Sequence, residues 1–323
     1  MKNILVTGAA GFIGFHVSKA LLERGDRVTG YDIVNNYYDI SLKHSRLELL
    51  NKYAHFDFFK GALEDATLIS ETVNKGSFDT IIHLAAQAGV RYSLEHPETY
   101  ISSNIVGTFN ILEAVKKNST PHLLFASSSS VYGANEKTPF SVEDKTDSPV
   151  SLYAATKKSN ELMAYSYSHL YDMHVTGMRF FTVYGPYGRP DMALFKFTKN
   201  ILDGKPIEVY NNGDMYRDFT YIDDIVKGVV ELIDKSCVFK RNPPFAVYNI
   251  GNNTPVKLSD FVSLIEDVLG KKAEIVYKPI QPGDVCKTYA DVEMLMKDTG
   301  FKPETELRDG IERFIEWYKN YYR

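Results

Sequence analysis

Eight residues near the start of the chain, Thr7-Gly8-Ala9-Ala10-Gly11-Phe12-Ile13-Gly14, follow an apolar stretch, Ile4-Leu5-Val6, and open an apolar helical pattern. No other segment constrains the fold so tightly. A strand that turns through glycines into a helix N-terminus presents unpaired backbone N–H groups and a partial positive charge to a pyrophosphate. Gly8 permits the tight turn, Gly11 lets the backbone approach a ligand, and Gly14 lets helix and sheet pack closely. Asp32 ends the next strand, after Arg27-Val28-Thr29-Gly30-Tyr31, where its carboxylate can accept hydrogen bonds from an adenosine ribose. An acid there repels a 2′-phosphate, so the predicted cofactor is NAD rather than NADP.

The first half of the chain alternates strand and helix patterns. Strands are predicted at about 3–7, 27–32, 55–59, 79–84, 121–127 and 174–180, with helices at about 12–24, 63–75, 97–117 and 152–171. Such alternation predicts an α/β fold with a doubly wound parallel sheet, because right-handed crossovers put helices on both faces. Ile81-Ile82-His83-Leu84 and Leu123-Leu124-Phe125-Ala126 read as strands buried on both sides. Beyond about 180 the rhythm loosens into turns such as Gly185-Pro186, Gly188-Arg189-Pro190 and Asn211-Asn212-Gly213. Helices are predicted near 223–235, 258–269 and 307–321, the last carrying Leu307, Ile311, Phe314 and Tyr318 at core-facing spacing. The expected organisation is a Rossmann domain over 1–180, completed by about 215–250. A smaller mixed α/β substrate lobe takes about 181–214 and 251–323. Ligands belong in the cleft over the C-terminal strand ends.

With 323 residues, the chain is long enough for two lobes, and its net charge of −4 offers no basic field to nucleic acid. Its only two cysteines, Cys237 and Cys286, exclude a disulfide framework and predict a reducing cytoplasm. Neither has the His or Cys neighbours of a metal site, so no metal is expected. Met1-Lys2 runs straight into the first strand and no apolar run is long enough to cross a bilayer, so neither a signal peptide nor a membrane span is expected.

A second signal is Tyr153-Ala154-Ala155-Thr156-Lys157. A spacing of four puts phenol and ammonium on one helix face, about one turn apart. Tyrosine is a poor base at its reference pKa of about 10, and a neighbouring ammonium with a cationic nicotinamide ring favours the phenolate. It can then take a proton from a sugar hydroxyl whose carbon loses hydride to the cofactor. The preceding strand ends in Ser127-Ser128-Ser129-Ser130-Val131-Tyr132-Gly133, which brings hydroxyls to the same cleft.

Taken together, these motifs resemble the extended short-chain dehydrogenase/reductase superfamily, specifically its nucleotide-sugar 4-epimerases. The likeness runs through 7–14, His83-Leu84-Ala85-Ala86, Asn104-x-x-Gly107-Thr108, Ser127 to Gly133, Tyr153-x-x-x-Lys157 and Arg217-Asp218-Phe219. It implies Tyr153 as base, Lys157 as the residue holding the nicotinamide ribose and tuning Tyr153, and Ser128 as the partner of the reacting hydroxyl. Phe12 and Ile13 would meet the pyrophosphate through their N–H groups. Leu84, Ala85, Ala86 and Asn104 would surround the nicotinamide end. Relatives usually carry Asp at the position of Ala62 to receive the adenine amine, so here Leu63 offers only its backbone. Asp57 is out of register as a substitute.

Dehydratase relatives place acids just after the catalytic hydroxyl. Here Ser129 and Ser130 stand there, which disfavours dehydration, and the glutamate of decarboxylating relatives is missing too. Gly185-Pro186-Tyr187-Gly188-Arg189-Pro190-Asp191-Met192-Ala193 resembles the corresponding segment of UDP-glucuronate 4-epimerases, as do Asn35-Asn36-Tyr37-Tyr38-Asp39 and Gln281-Pro282-Gly283-Asp284-Val285. The resemblance implies that Arg189 clasps a C6 carboxylate through two parallel hydrogen bonds, which lysine would not reproduce. Ser129 and Thr182 would contact the sugar, Tyr210 the uracil, and Arg217 the diphosphate. Gln281, with Asp284 nearby, stands where galactose-type epimerases usually have arginine. The expected function is NAD-dependent 4-epimerisation of a UDP-sugar, UDP-glucuronate first, with UDP-glucose or UDP-N-acetylglucosamine as alternatives. A non-catalytic NAD sensor is a more distant one. Relatives dimerise through the helices at 97–117 and 152–171, which predicts a homodimer with Tyr165, Tyr167 and Leu170 on its apolar face.

Overall fold

The computed structural model describes all 323 residues, Met1–Arg323. The apolar runs of the first half become β1 (Asn3–Thr7), β2 (Arg27–Asp32), β3 (Phe56–Lys60), β4 (Thr80–His83), β5 (Leu123–Ser128) and β6 (Val175–Phe180). The second half adds β7 (Thr182–Tyr184), β8 (Ile207–Tyr210), β9 (Tyr216–Tyr221), β10 (Phe245–Ile250), β11 (Pro255–Lys257) and β12 (Ile275–Lys278). Seven of these form one sheet in the order β10-β6-β5-β4-β1-β2-β3, every pairing parallel. The fully buried β4, Thr80–His83, and the all-buried β6 are what a sheet covered on both faces requires.

Chain order reverses between β1 and β4, and that switch point locates the cleft. The ends of the two strands are tied by Thr7 Oγ1 and His83 Nδ1, 2.8 Å apart, and His83 Nε2 reaches Thr108 Oγ1 at 3.2 Å. Burial pushes the His83 imidazole down to about 3, so this tie is made by a neutral ring. Two small sheets, β11-β9-β7 and β12-β8, lie beside the seven-stranded one. A core of 49 buried residues joins Ile4 and Val6 of β1 to Phe219, Phe261 and Phe314 of the second half. Ile311, Phe314 and Tyr318 of the helix Leu307–Tyr322 are buried in that core, with Leu307 packed against it.

Four helices lie outside the predicted ones: Ile40–Leu50, Ala193–Asp203, Glu293–Thr299 and the short Tyr92–Glu95. The first buries Lys43 and Arg46, so its inward face looks polar. In the second, Leu194, Phe195 and Phe197 mimic a strand when read without Thr198 and Ile201. The predicted helix over 97–117 is also irregular, with a π-helical turn at Ile101–Val106 ahead of Gly107–Asn118. No helix is long and apolar enough to cross a membrane, and both cysteines are free.

Candidate active site

The glycine turn is shaped by contacts that leave no room for side chains. Gly8 has φ +76°, and a Cβ there would lie 2.7 Å from the Ala85 nitrogen. A Cβ on Gly14 would lie 2.0 Å from the Gly8 carbonyl oxygen. Gly8 N–H donates to Tyr31 at 2.7 Å and Gly11 N–H to Gly8 at 2.9 Å, fixing the turn. The helix Phe12–Glu23 then begins on Gly11 without a side-chain cap. Its first N–H groups face the cleft, which is what an anionic pyrophosphate needs. Asp32 is buried and accepts from Ala10 N–H at 3.1 Å and Val34 N–H at 2.8 Å, one on each oxygen. Burial raises its carboxyl, and these bonds together with Lys43 and Arg46 work against that rise. The residues therefore fit a bound dinucleotide with free ribose hydroxyls.

One cleft of about 280 Å³ is lined by Gly8, Gly11, Phe12, Ile13, Gly14, Asp32, Leu63, Leu84, Ala85, Ala86, Ser128, Tyr153, Lys157 and Arg189. At its adenosine end, the Leu63 carbonyl is already taken by Asn110 Nδ2 at 2.8 Å, so the backbone of Leu63 has only its N–H to give. Lys43 and Glu64 also line the cleft and were not singled out in the sequence. Lys43 Nζ donates to the Asn35 carbonyl at 2.9 Å and to Asn35 Oδ1 at 2.6 Å. Glu64 Oε1 accepts from Ser103 at 2.6 Å.

At the other end, Ser151 caps the helix Leu152–Tyr171 and so sets Tyr153 and Lys157 in its first turns. The Tyr153 ring meets the Tyr100 ring edge-on at 6.0 Å. Lys157 is buried and donates to the Ala126 carbonyl at 2.9 Å, and burial pushes its ammonium down to about 8. Burial raises the Tyr153 phenol, while a hydrogen bond with Ser128 and the charge of Arg189 act to lower it. Lys157 thus reaches the β5 carbonyl from the same cleft wall, and the charge of Arg189 also acts on the phenol. Ser128 Oγ accepts from Ser130 N–H at 3.2 Å and from Ser130 Oγ at 2.9 Å, which leaves its own proton free to donate.

Arg189 sits in the loop between β7 and the helix Ala193–Asp203. That loop is pinned from the dinucleotide side by Arg46 on the Tyr187 carbonyl at 2.6 Å and by His16 on the Pro186 carbonyl at 2.9 Å. Its guanidinium already forks onto Asp191, with Nε to Oδ1 at 3.1 Å and a terminal nitrogen to Oδ2 at 2.6 Å. The predicted two-bond clasp therefore has an internal occupant.

Other predicted residues lie elsewhere. Asn104 is fully enclosed, accepting from Gln87 N–H at 2.8 Å and donating to the Gln87 carbonyl at 3.0 Å and Thr156 at 3.1 Å. It shapes the wall rather than lining it. Ser129 opens a 3-10 turn, Ser129–Tyr132, outside the lining of the main cleft, and Thr182 lines a small cavity beside Arg189. Tyr210, Arg217 and Asp284 gather outside the lining of the main cleft, around Arg91, and the Gln281 carbonyl accepts from Asp284 N–H at 3.1 Å. The Arg91 guanidinium lies 4.8 Å from the Tyr210 ring centre and 3.3 Å from Asp284. Arg217 donates to the Tyr216 and Cys286 carbonyls at 2.9 Å and 3.3 Å. Its neighbour Asp218 points the other way, into four hydrogen bonds from Asn252, Asn253, Ala290 and Thr220. Arg91 carried no sequence signal, because only folding brings it to Tyr210. The loop Ala88–Tyr92 joins the two groups: Gly89 borders Tyr37 and Arg189, and Val90 packs on Gly283.

A family profile described as GDP-mannose 4,6 dehydratase matches residues 5–314. The chain is 52% identical to "Protein CapI" of Staphylococcus aureus over 99% of both chains. It is 48% identical to the "Probable UDP-glucuronate 4-epimerase" of Rhizobium meliloti, over 99% of this chain and 97% of that one. Among solved structures, the UDP-glucuronic acid 4-epimerase from Bacillus cereus, in complex with UDP-glucuronic acid and NAD, superposes with a TM-score of 0.91. It is 34% identical over 99% of both chains.

Proposed function

The chain belongs to the NAD-dependent epimerase/dehydratase family, among the UDP-glucuronate 4-epimerases, and on that premise we propose how its own residues carry the reaction. It is an NAD-dependent UDP-sugar 4-epimerase, and we assign it the interconversion of UDP-glucuronate and UDP-galacturonate. The observation that carries this assignment is Arg189 facing the Tyr153 phenol across the cleft that holds Ser128 and Lys157.

The glycine turn, Asp32 and Lys157 would hold NAD, whose nicotinamide would supply the acceptor and donor of the hydride exchanged with the sugar's C4′. Tyr153 takes the proton of the 4′-hydroxyl, and Ser128 donates to the same oxygen as it becomes a ketone. The phenol begins above its ordinary value, and the Ser128 hydrogen bond and the positive charge of Arg189 act to bring it down. The 4-keto sugar then turns about its link to the diphosphate and takes its proton back from Tyr153 on the opposite face. Tyr210, in a substrate lobe of about 181–214 and 251–323, and Arg217, on β9 beside it, are assigned to the uridine diphosphate that stays anchored meanwhile. With a uronate the ketone is a β-keto acid, and Arg189 keeps its carboxylate from leaving as carbon dioxide.

Incubating the protein with UDP-glucuronate and no added reductant tests the assignment. UDP-galacturonate without pentose is the expected result by NMR. Conversion of UDP-glucose or UDP-N-acetylglucosamine, with UDP-glucuronate untouched, would replace it.

We place the protein in the cytoplasm, which suits its two free thiols. We also propose a homodimer through Ile101–Asn118 and Leu152–Tyr171. Ile101, Val106, Phe109, Leu162, Tyr165 and Leu170 are all exposed on these helices. Tyr167 is assigned to the subunit instead, since its hydroxyl is bound to Glu113. Sedimentation is expected to give a dimer for the wild type and a monomer for Phe109→Asp with Leu162→Asp.

A further inference from the structure

The fork that would grip a substrate carboxylate is already closed on a carboxylate of the chain itself. Arg189 uses Nε and one terminal nitrogen on the two oxygens of Asp191, one of the edges by which a guanidinium can fork onto a planar uronate carboxylate. Asp191 also has a second anchor, because the Tyr37 hydroxyl donates to its Oδ2 at 3.3 Å. It lies at the N-terminal edge of the helix Ala193–Asp203, in a loop tied down by Arg46 and His16. It therefore has a place to stay when the fork opens.

We propose that Asp191 exchanges with the substrate's C6 carboxylate on the Arg189 fork, so that the uronate is gripped reversibly while the sugar turns over. The inference rests on the reading that the substrate is a UDP-uronate.

Two carboxylates on one partly buried guanidinium repel each other, so each weakens the hold on the other. Epimerisation presents both faces of C4 to one base and one hydride acceptor. The carboxylate, one carbon away from that centre, must leave its seat and regain it. A clasp without a competitor resists that movement and leaves the guanidinium unpaired once the sugar turns. Asp191 refills the fork at that moment and lowers the hold on the ground state. Burial pushes its carboxyl up, but the Arg189 charge and hydrogen bonds bring it below the ordinary range, so the competitor is an anion at neutral pH. Asp191 acts through Arg189 and is a positioning residue.

Steady-state kinetics of Asp191→Asn with UDP-glucuronate, beside inhibition by neutral UDP-glucose, tests this. KM for UDP-glucuronate and kcat are both expected to fall about three- to fivefold, the range of a partly exposed ion pair. Inhibition by UDP-glucose stays as in the wild type, and Asp191→Glu restores both constants. Unchanged constants, or a KM that rises together with the UDP-glucose inhibition constant, overturn the exchange. If Asp191→Asn fails to fold, Tyr37→Phe decides: removing the second anchor commits Asp191 to the fork, so KM for UDP-glucuronate alone must rise, and an unchanged KM is a refutation. A wild type that ignores UDP-glucuronate refutes the substrate reading itself, before any variant is compared.

Discussion

The Tyr153 phenol is half-buried, and desolvation raises it above free tyrosine, so less of it is phenolate at neutral pH. Spacing revealed the residue and its partner Lys157. It did not reveal that the charge of Arg189, distant in sequence, also acts on the phenol, because a loop's direction is set by distant anchors such as Arg46 and His16. Asp191, Lys43 and Glu64 were invisible for the same reason: a charged residue in a polar stretch looks solvated until folding shows which cleft it faces. Two outcomes follow at this scale. Tyr153→Phe is expected to cut turnover by about 10²- to 10⁴-fold, the usual worth of a positioned general base, while bound NAD is retained. Arg189→Ala removes a charge that lowers the phenol, so the acid limb of the kcat profile, where phenolate forms, moves to higher pH. The position of that limb on a pH series is the readout, since its height also reflects the lost clasp. A limb that stays in place would show that Arg189 acts on binding alone.

At the scale of elements, the strands of the parallel sheet were legible because burial on both faces leaves continuous apolar runs, and they fall within one or two residues of their predicted ends. Helices that bury charge were not. Ile40–Leu50 turns Lys43 and Arg46 inward, and Arg46 NH1 donates to the Ala10 carbonyl at 2.8 Å, so this helix braces the glycine turn from outside. Periodicity counts apolar residues and is blind to such a face. The turn itself was legible because its glycines answer to sterics rather than to contacts made elsewhere. Gly14→Ala puts a methyl 2.0 Å from the Gly8 carbonyl, backbone against backbone, with nothing flexible to yield. An overpacking cost of about 1–3 kcal/mol is expected, read as a lower urea midpoint together with loss of copurifying NAD. Retention of both would mean that the helix can slide from the sheet, against the contacts seen.

The whole molecule is stitched together by neutral histidines where its parts meet. His16 reaches from the first helix to the Pro186 carbonyl of the loop that carries Arg189. His83 spans Thr7 and Thr108 at the switch point, and His122 ties β5 to β6 through Thr176 at 2.8 Å. Burial pushes His16 down to about 4, and His83 and His122 to about 3 each. An unfolded histidine titrates near pH 6.5. Between that value and about 4, the unfolded chain binds protons at these three positions that the folded chain refuses. More protons on the unfolded side means that stability rises with pH and falls on acidification, by up to about 1.4 kcal/mol per pH unit for each ring. Urea midpoints compared at pH 7 and pH 5 are expected to show a steep loss at the lower pH. His16→Gln can still donate to Pro186 but cannot titrate, so its profile is expected to be shallower by close to one proton. A slope equal to that of the wild type would mean that His16 takes up its proton in the folded state, with the loop carrying Arg189 already released from the first helix.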